Sequence, residues 1–542
     1  VLGPIEREIL SQLFAAVPEE MGAVLVRSAR SPNIRERRDS SAALFTATGE
    51  LIAQAAHIPV HLGAMPEAVA AVRARGARAG EVWVLNDPYT GGTHLPDITV
   101  IEAVGTGAQG LGGTDEPVAY AAVRAHHADV GGTRPGSMAP DARSLADEGV
   151  VIPPTRVGEH GVLDEDALDA LVHPMREPAV RRADLAAQVA AARRGGERWN
   201  ELLARYGAAR LGDAVHDLLG YAERRTRAAL AALDDGVYEG ADTIEGDGLT
   251  DEPLTIRARL TVAAGALTMD FAGTAPAAEG SVNCPISVTR SAALFAARCL
   301  IPADVPTNGG VARCVTVLAP AGCLVNAEPP HAVAAGNVET SQRIADLLLD
   351  LLRQAGGDLP AQGQGTMNNV IFGTRDWVYY ETLGGGQGAT RHGPGPSGVH
   401  VGMSNTCNTP IEVLEMELPL RIEEYSIRHS SGGAPGPSAR ASTVAWESEG
   451  GQTTGPVGGI AAGYPGGDGV VRQIRALQPC QLSLVTERRR IAPRGAEGGG
   501  DALPGRNFVN GVEVGSKVVR DLVAGDVVRI ETPGGGGFGA AS

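Results

Sequence analysis

In the stretch Asn86–Asp97, NDPYTGGTHLPD, His94 and Asp97 close a turn stiffened by proline and loosened by glycine. Further on, the run Ala125-His126-His127-Ala128-Asp129 adds two imidazoles and a carboxylate. His94, Asp97 and His126 together make a donor set suited to one divalent ion, zinc or manganese, with a position left open for water. Such an ion lowers the pKa of bound water towards ~7. His127, Asp129 and Asp87 lie close by in sequence. On spacing alone a second reading stands beside the first, in which the same side chains only tie loops together.

The elements that must position these residues are short and β-like. Glu81–Leu85 and Asp97–Val104 are β-branched or aromatic runs, and Val118–Arg124 is a third that leads directly into His126. The intervening loops leave no room for a crossover helix, so antiparallel neighbours are expected, which would bring His126 back towards His94 and Asp97. A hairpin is expected from Ser41–Phe45 through Thr48-Gly49-Glu50 to Leu51–Gln54. His57 and His61 follow, but Pro59 between them argues against a shared helical face. Either one could line a site; the plainer reading is a pair of ordinary loop histidines.

Around this nucleus, the apolar spacing from Ile5 to Val26 predicts a helix broken near Pro18, and a second helix is expected over 67–75. From Pro174 to Leu233 the Ala, Arg, Leu and Glu content predicts two or three antiparallel helices with breaks at Gly195-Gly196 and Gly207. An antiparallel meander over 236–275 and helices over Val288–Cys299 and Glu339–Arg353 follow. Asn337, Glu339, Gln364, Asn368 and Asn369 concentrate polar, largely amide side chains. Helix capping by Asn337 explains part of this; a small amide-like ligand or a protein interface would use the rest.

At 542 residues the chain exceeds one hydrophobic core. The expected class is α+β and multidomain, with mixed, largely antiparallel sheets, a helical insertion and a glycine-rich C-terminal half. The expected boundaries are 1–165 for a metal-binding α+β unit, 166–235 for the helical segment and 236–542 for a second α+β unit. A net charge of -17 and a pI near 5.2 argue against nucleic acid as a partner. The lack of a ~20-residue apolar run or a signal pattern argues against a membrane and for a cytoplasmic protein. Six cysteines without CxxC spacing read as buried free thiols. Gly-x-Ser-x-Gly is absent around Ser137 and Ser281, and there is no Walker P-loop.

Longer blocks carry a resemblance. SPNIRERRDSSAALF, AAHIPVHLGAMPEAV, NDPYTGGTHLPDITV, RAHHADVGGTRPGSM, GNVETSQR, QGTMNNVIFG, YYETLGGGQGA, SNTCNTPIEVLE and TPGGGGFG occur in order along nearly the whole chain. They resemble the hydantoinase B family, which includes the B half of N-methylhydantoinase and 5-oxoprolinase. The resemblance implies an ATP-dependent cyclic amidase of two chains. A separate hydantoinase A-type chain, in a hetero-oligomer with this one, uses ATP and Mg to phosphorylate the carbonyl oxygen of a small lactam or imide, and the hydantoinase B-type chain carries the later step. It further implies a metal on His94, Asp97 and His126, with Asp129 or His127 as orienting groups or proton carriers. Acetone and acetophenone carboxylases are related, so a component of an ATP-dependent ketone carboxylase is the alternative activity. A non-catalytic partner with a structural metal is the alternative class.

Overall fold

The computed structural model describes residues 2–56, 58–106, 115–436 and 463–539. Among these, four mostly antiparallel sheets are packed with helices, an α+β architecture. His57 lies outside the described residues.

The first sheet holds β1 (Ser40–Thr46), β2 (Leu51–Ala56), β3 (Glu81–Leu85), β4 (Asp97–Val104), β5 (Ala119–His126), β6 (Thr155–Glu159) and β7 (Val162–Leu163). Their spatial order is β2-β1-β5-β4-β3-β6-β7, and every pairing is antiparallel. The expected hairpin and the three expected strands are all present. Period-two alternation gives the sheet two faces. Ala119, Ala121, Val123 and Ala125 of β5 join the core under the long helices Pro4–Ser28 and Pro178–Tyr206, whereas Tyr120 and Ala122 pack towards the helix Met65–Ala74.

Two expected helix breaks are absent. The helix Pro4–Ser28 runs unbroken past Pro18, which is itself buried. An interior proline costs about 3 kcal/mol, but Leu10, Phe14, Val17, Met21 and Leu25 are all sequestered at about 1.5–3 kcal/mol each, so packing outweighs the lost hydrogen bond. By length and hydropathy this helix could cross a bilayer; its Leu10, Phe14, Val17, Met21 and Leu25 belong to the core of the first sheet, while Ile5 and Ile9 are exposed. The helix Pro178–Tyr206 likewise continues through Gly195-Gly196. A Cβ on Gly195 would lie 2.5 Å from Met21 Sδ and 2.8 Å from Ala121 Cβ. The glycine therefore marks a close approach of two helices and β5 rather than a helix end. The break occurs at Gly207, with φ 77°, and a second helix follows over Ala208–Leu230.

The expected meander is Gly236–Ile244, Leu254–Ala263 and Ala266–Asp270, with Val315–Leu318 added in parallel at its edge. Helices Ile286–Arg298 and Ser341–Gln354 contribute to the same core. A third sheet pairs Asn369–Gly373 with Val378–Thr382 and Cys480–Val485, and its Tyr380 reaches the first sheet's β5. The fourth sheet gathers Leu420–Arg428, Gly469–Ala476, Val527–Glu531, Arg506–Val509 and Val512–Val514. All six cysteines are free, but Cys299 and Cys407 are exposed rather than buried.

Candidate metal centre

The centre is built on one row of the first sheet. Asp97, at the start of β4, is registered against His126, at the end of β5. On the other side of β5, Ser40 pairs with Ala125 and the His126 amide donates to Asp39 O (3.0 Å), which places Asp39 next in the same row. Side chains opposed in a row share a face. Asp39, His126 and Asp97 thus emerge together, on the side where Arg124 donates to Thr99 Oγ1 (2.8 Å).

Two histidines close over this row. His94 comes from the turn before β4, where the Asp97 amide donates to His94 O (3.1 Å). His61 comes from the 3-10 turn Pro59–His61, opened by the proline that argued against a longer helix. Its Nδ1 lies 2.9 Å from Ser41 Oγ on β1. His61 Nε2 and His94 Nε2 each lie 3.3 Å from Asp97 Oδ2. Tetrahedral bonds of ~2.0–2.1 Å set ligand atoms roughly 3.3–3.4 Å apart.

The donor atoms fit an ion. His61 Nε2, His94 Nε2, His126 Nε2 and Asp97 Oδ1 are buried without a hydrogen-bond partner, a condition rare in native proteins. One donor atom from each of His94, Asp97 and His126 falls within 4.8 Å of the others. Imidazole with carboxylate suits zinc or manganese better than calcium, which takes oxygen. Burial pushes the Asp97 carboxyl up, but the adjoining His94 and His61 outweigh it and hold the group well below the ordinary carboxylate range. Burial, reinforced by His94, pushes His126 well below the ordinary imidazole range. An ionised aspartate and a neutral imidazole are the forms that bind metal. Asp39 is pushed up to about 6 by burial, with Arg37 opposing.

A surrounding layer fixes the His126 ring. Asn33 Nδ2 donates to His126 O (3.1 Å) and lies 3.0 Å from His126 Nδ1; a metal on Nε2 requires the ring proton on Nδ1, so in that state Asn33 holds His126 through its backbone oxygen. Asn33 is oriented in turn by Arg37 Nη1, which donates to Asn33 Oδ1 (2.6 Å) and Tyr380 O (2.9 Å). The Tyr380 ring stacks on His126 with centroids 4.5 Å apart. Tyr380 OH donates to Asn369 Oδ1 (2.8 Å), and Asn369 Nδ2 approaches Glu339 Oε1 (3.4 Å). Beside the cluster lies a cavity of about 20 Å³, whose lining includes Asp39, His61, Asp97 and His126 together with Asn337, Met367 and Tyr380. That is room for about one water.

The other residues singled out in the sequence are placed differently. His127 points to the opposite face, its Nε2 2.8 Å from Gln188 Oε1 on the helix Pro178–Tyr206; consecutive residues of an extended chain alternate faces. Asp129 accepts from the amides of Gly131, Gly136 and Arg176 and from Arg176 Nη1, bracing the loop after β5. Asp87 caps the turn Pro88–Thr90. Gln364 accepts from Asn368 Nδ2 (2.7 Å), and Asn368 accepts from Arg489, which commits both to joining loops. Asn337 does not cap a helix: it sits inside a π-turn, Gly336–Thr340, and makes no side-chain cap bond. Asp39, Arg37, Asn33 and Tyr380 were not anticipated from the sequence. Asn33, Arg37 and Asp39 fall in the block SPNIRERRDSSAALF and Tyr380 in YYETLGGGQGA, which mark the resemblance without assigning them a role.

A family model described as Hydantoinase B/oxoprolinase matches residues 3–436 and 459–541. The chain belongs to this family. Among its hydantoinase B/oxoprolinase relatives, an uncharacterized protein of Methanocaldococcus jannaschii is 36% identical over 544 residues, covering 98% of this chain and 90% of that one. The 5-oxoprolinase 1 of Arabidopsis thaliana is 35% identical over 566 residues, but the chain spans 42% of its length. A putative D-/L-hydantoinase component of the B type, from a Pseudomonas species, is 28% identical, covering 99% of this chain and 90% of that one. The fold is shared with two solved structures. The ATP-dependent caprolactamase from Pseudomonas jessenii matches all of this chain and 91% of its own, with a TM-score of 0.85 at 24% identity. A nucleotide-free acetone carboxylase matches 99% of this chain and 76% of its own, with a TM-score of 0.82 at 17% identity.

Proposed function

We propose that this chain is the ring-opening component of an ATP-dependent cyclic amidase, acting on a lactam or imide whose carbonyl a partner chain has phosphorylated. The observation that carries this reading is the buried cluster of His61, His94, Asp97 and His126, with unspent donor atoms beside a small cavity, in a chain of the hydantoinase B/oxoprolinase family. His94, Asp97 and His126 hold the ion, joined by His61, and Asp39 brings a second carboxylate to the same row. A zinc or manganese ion held there would lower the pKa of a bound water enough for it to act at neutral pH.

The chain's own residues supply the rest. Arg37 and Asn33 hold the His126 ring, and Tyr380 stacks on it, so the donor set is rigid before substrate arrives. The apolar wall of Ile58, Val60, Val338 and Met367 keeps out bulk water, which protects an activated ring from uncontrolled hydrolysis. The cavity as it stands has room for about one water and not for a ring, so substrate entry displaces part of that wall. His127 and Asp129 act as positioning residues, one anchoring β5 to the helix beneath and the other bracing the following loop. The adjoining cavity favours a catalytic over a structural ion, since a structural site is closed to water.

The ATP chemistry is assigned to a hydantoinase A-type partner. The single-chain 5-oxoprolinase is more than twice as long as this chain, whereas the putative B-type hydantoinase component is of similar length. The test is to combine the chain with its A-type partner, ATP and Mg, and to offer hydantoin, N-methylhydantoin, 5-oxoproline and caprolactam. ATP-dependent ring opening that needs both chains is expected. Carboxylate formation from a ketone and labelled bicarbonate, with no ring opened, would replace this reading by the carboxylase.

A further inference from the structure

The turn Gly336–Thr340 opens the helix Ser341–Gln354 with π-helical geometry, a widened turn frequent at functional sites. Its backbone is strapped on several sides. Gly336 N donates to Ser281 O (2.9 Å), Thr340 Oγ1 to Val282 O (2.6 Å), and Ser341 Oγ to Asn337 O (2.6 Å). Gly336 packs so tightly that a Cβ there would lie 1.8 Å from Asn283 O. The position of Asn337 is thereby set, yet its carboxamide is not spent on the fold. Asn337 is 3% exposed, and its Oδ1 has no hydrogen-bond partner.

An unpartnered buried amide oxygen is costly, by an amount comparable to a lost hydrogen bond. Here it lines the same cavity as Asp39, His61, Asp97 and His126. A volume of about 20 Å³ sets it within reach of one small group held against the cluster. A cyclic amide is locked cis by its ring, so it presents its N–H and C=O along one edge. With the carbonyl carbon turned towards the cluster, the N–H beside it needs an acceptor.

We propose that Asn337 reads the ring nitrogen of the substrate, its Oδ1 accepting from the N–H, which a ring phosphorylated on its carbonyl oxygen keeps as an iminium N–H, while the neighbouring ring carbon is presented to the metal-ligating cluster. This rests on the cyclic-amide reading above and makes it more specific. Rings that carry N–H are bound in preference to rings whose nitrogen is methylated, because a methyl group leaves the oxygen unpaired and fills its space. Sites built to hydrogen-bond a polar group reject analogues lacking it more strongly than apolar pockets discriminate by size.

The test uses the full chain loaded with zinc or manganese and measures the Kd of 2-pyrrolidinone and 1-methyl-2-pyrrolidinone by calorimetry or ligand-observed NMR. Wild type is expected to favour the N–H ring by about tenfold or more. Asn337→Ala should lose that preference with metal content and melting temperature unchanged, and Asn337→Asp, which keeps an acceptor, should retain it. The proposal is overturned if wild type binds neither ring or does not discriminate, if Asn337→Ala keeps the preference, or if Asn337→Asp loses it. Because this readout is binding without ATP or partner, it separates from the ring-opening assay. A preference seen without ring opening sinks the reaction and keeps the reader; ring opening without a preference does the reverse.

Discussion

Asp97 and His126 face each other in one register position, the first residue of β4 against the last of β5. Their separation is therefore fixed by the sheet ladder and not by loop conformation. Asp39, just before β1, extends the same row, so three of the five side chains of the cluster, Asp39, Asp97 and His126, are placed by strand pairing. A slip of one residue would send these side chains to the opposite face, where the core of the first sheet lies.

The ring of His126 depends on a relay from Arg37. That guanidinium is fully buried and donates to Asn33 Oδ1, Tyr380 O and Thr382 Oγ1. Arg37→Ala should lower stability by at least about 2 kcal/mol, since several buried acceptors lose their donor. It should also weaken metal binding by roughly 10–100-fold, as loss of orienting partners does elsewhere. Chemical denaturation and a competitive chelator titration measure the two effects; unchanged metal affinity in a folded Arg37→Ala chain would remove Arg37 from the centre. Arg37→Lys should restore little, because a single ammonium cannot reach the separate acceptors.

A pH dependence follows from His400. Burial, reinforced by Arg37, pushes this imidazole down from 6.5 to about 4, with its Nδ1 2.9 Å from Ser404 Oγ. Between those values the unfolded chain binds a proton that the folded chain does not. The contribution is thus present above about pH 6.5 and is lost as pH falls towards 4, by up to about 3 kcal/mol. Urea unfolding of the wild type and His400→Gln at pH 7 and pH 5 compares the slopes; an equal loss in both would assign the acid sensitivity elsewhere.

Gly195 tests the packing that carries β5. A side chain there meets Met21 Sδ and Ala121 Cβ, so Gly195→Val should destabilise by about 1–3 kcal/mol through overpacking. This exceeds what any gain in helix propensity returns. A melting temperature at or above wild type would show that the two helices have slack.

The legible part of this fold was local. β-Branched and aromatic runs in 97–104 and 118–124 marked the strands, and short loops set their antiparallel order, which is why His94, Asp97 and His126 were found together. Asp39 and Tyr380 were not, because β1 pairs with β5 and Tyr380 stacks on His126 across long stretches of chain, and no local pattern encodes such pairings. His61 was visible but undirected, since a proline can end a helix or open a turn. Gly195-Gly196 and Pro18 were misread for the same kind of reason: each obeys a local rule that tertiary burial overrides. His127 is adjacent to His126 in sequence and faces the other way in space, as strand geometry requires.

The buried row and its two covering histidines are proposed to hold one catalytic ion. Elemental analysis of the purified full chain, after loading with zinc or manganese and gel filtration, tests this most directly. About one ion per chain is expected in wild type and in His127→Gln, and close to none in a folded Asp97→Ala or His94→Ala chain. Metal retained at wild-type content in Asp97→Ala would contradict the account.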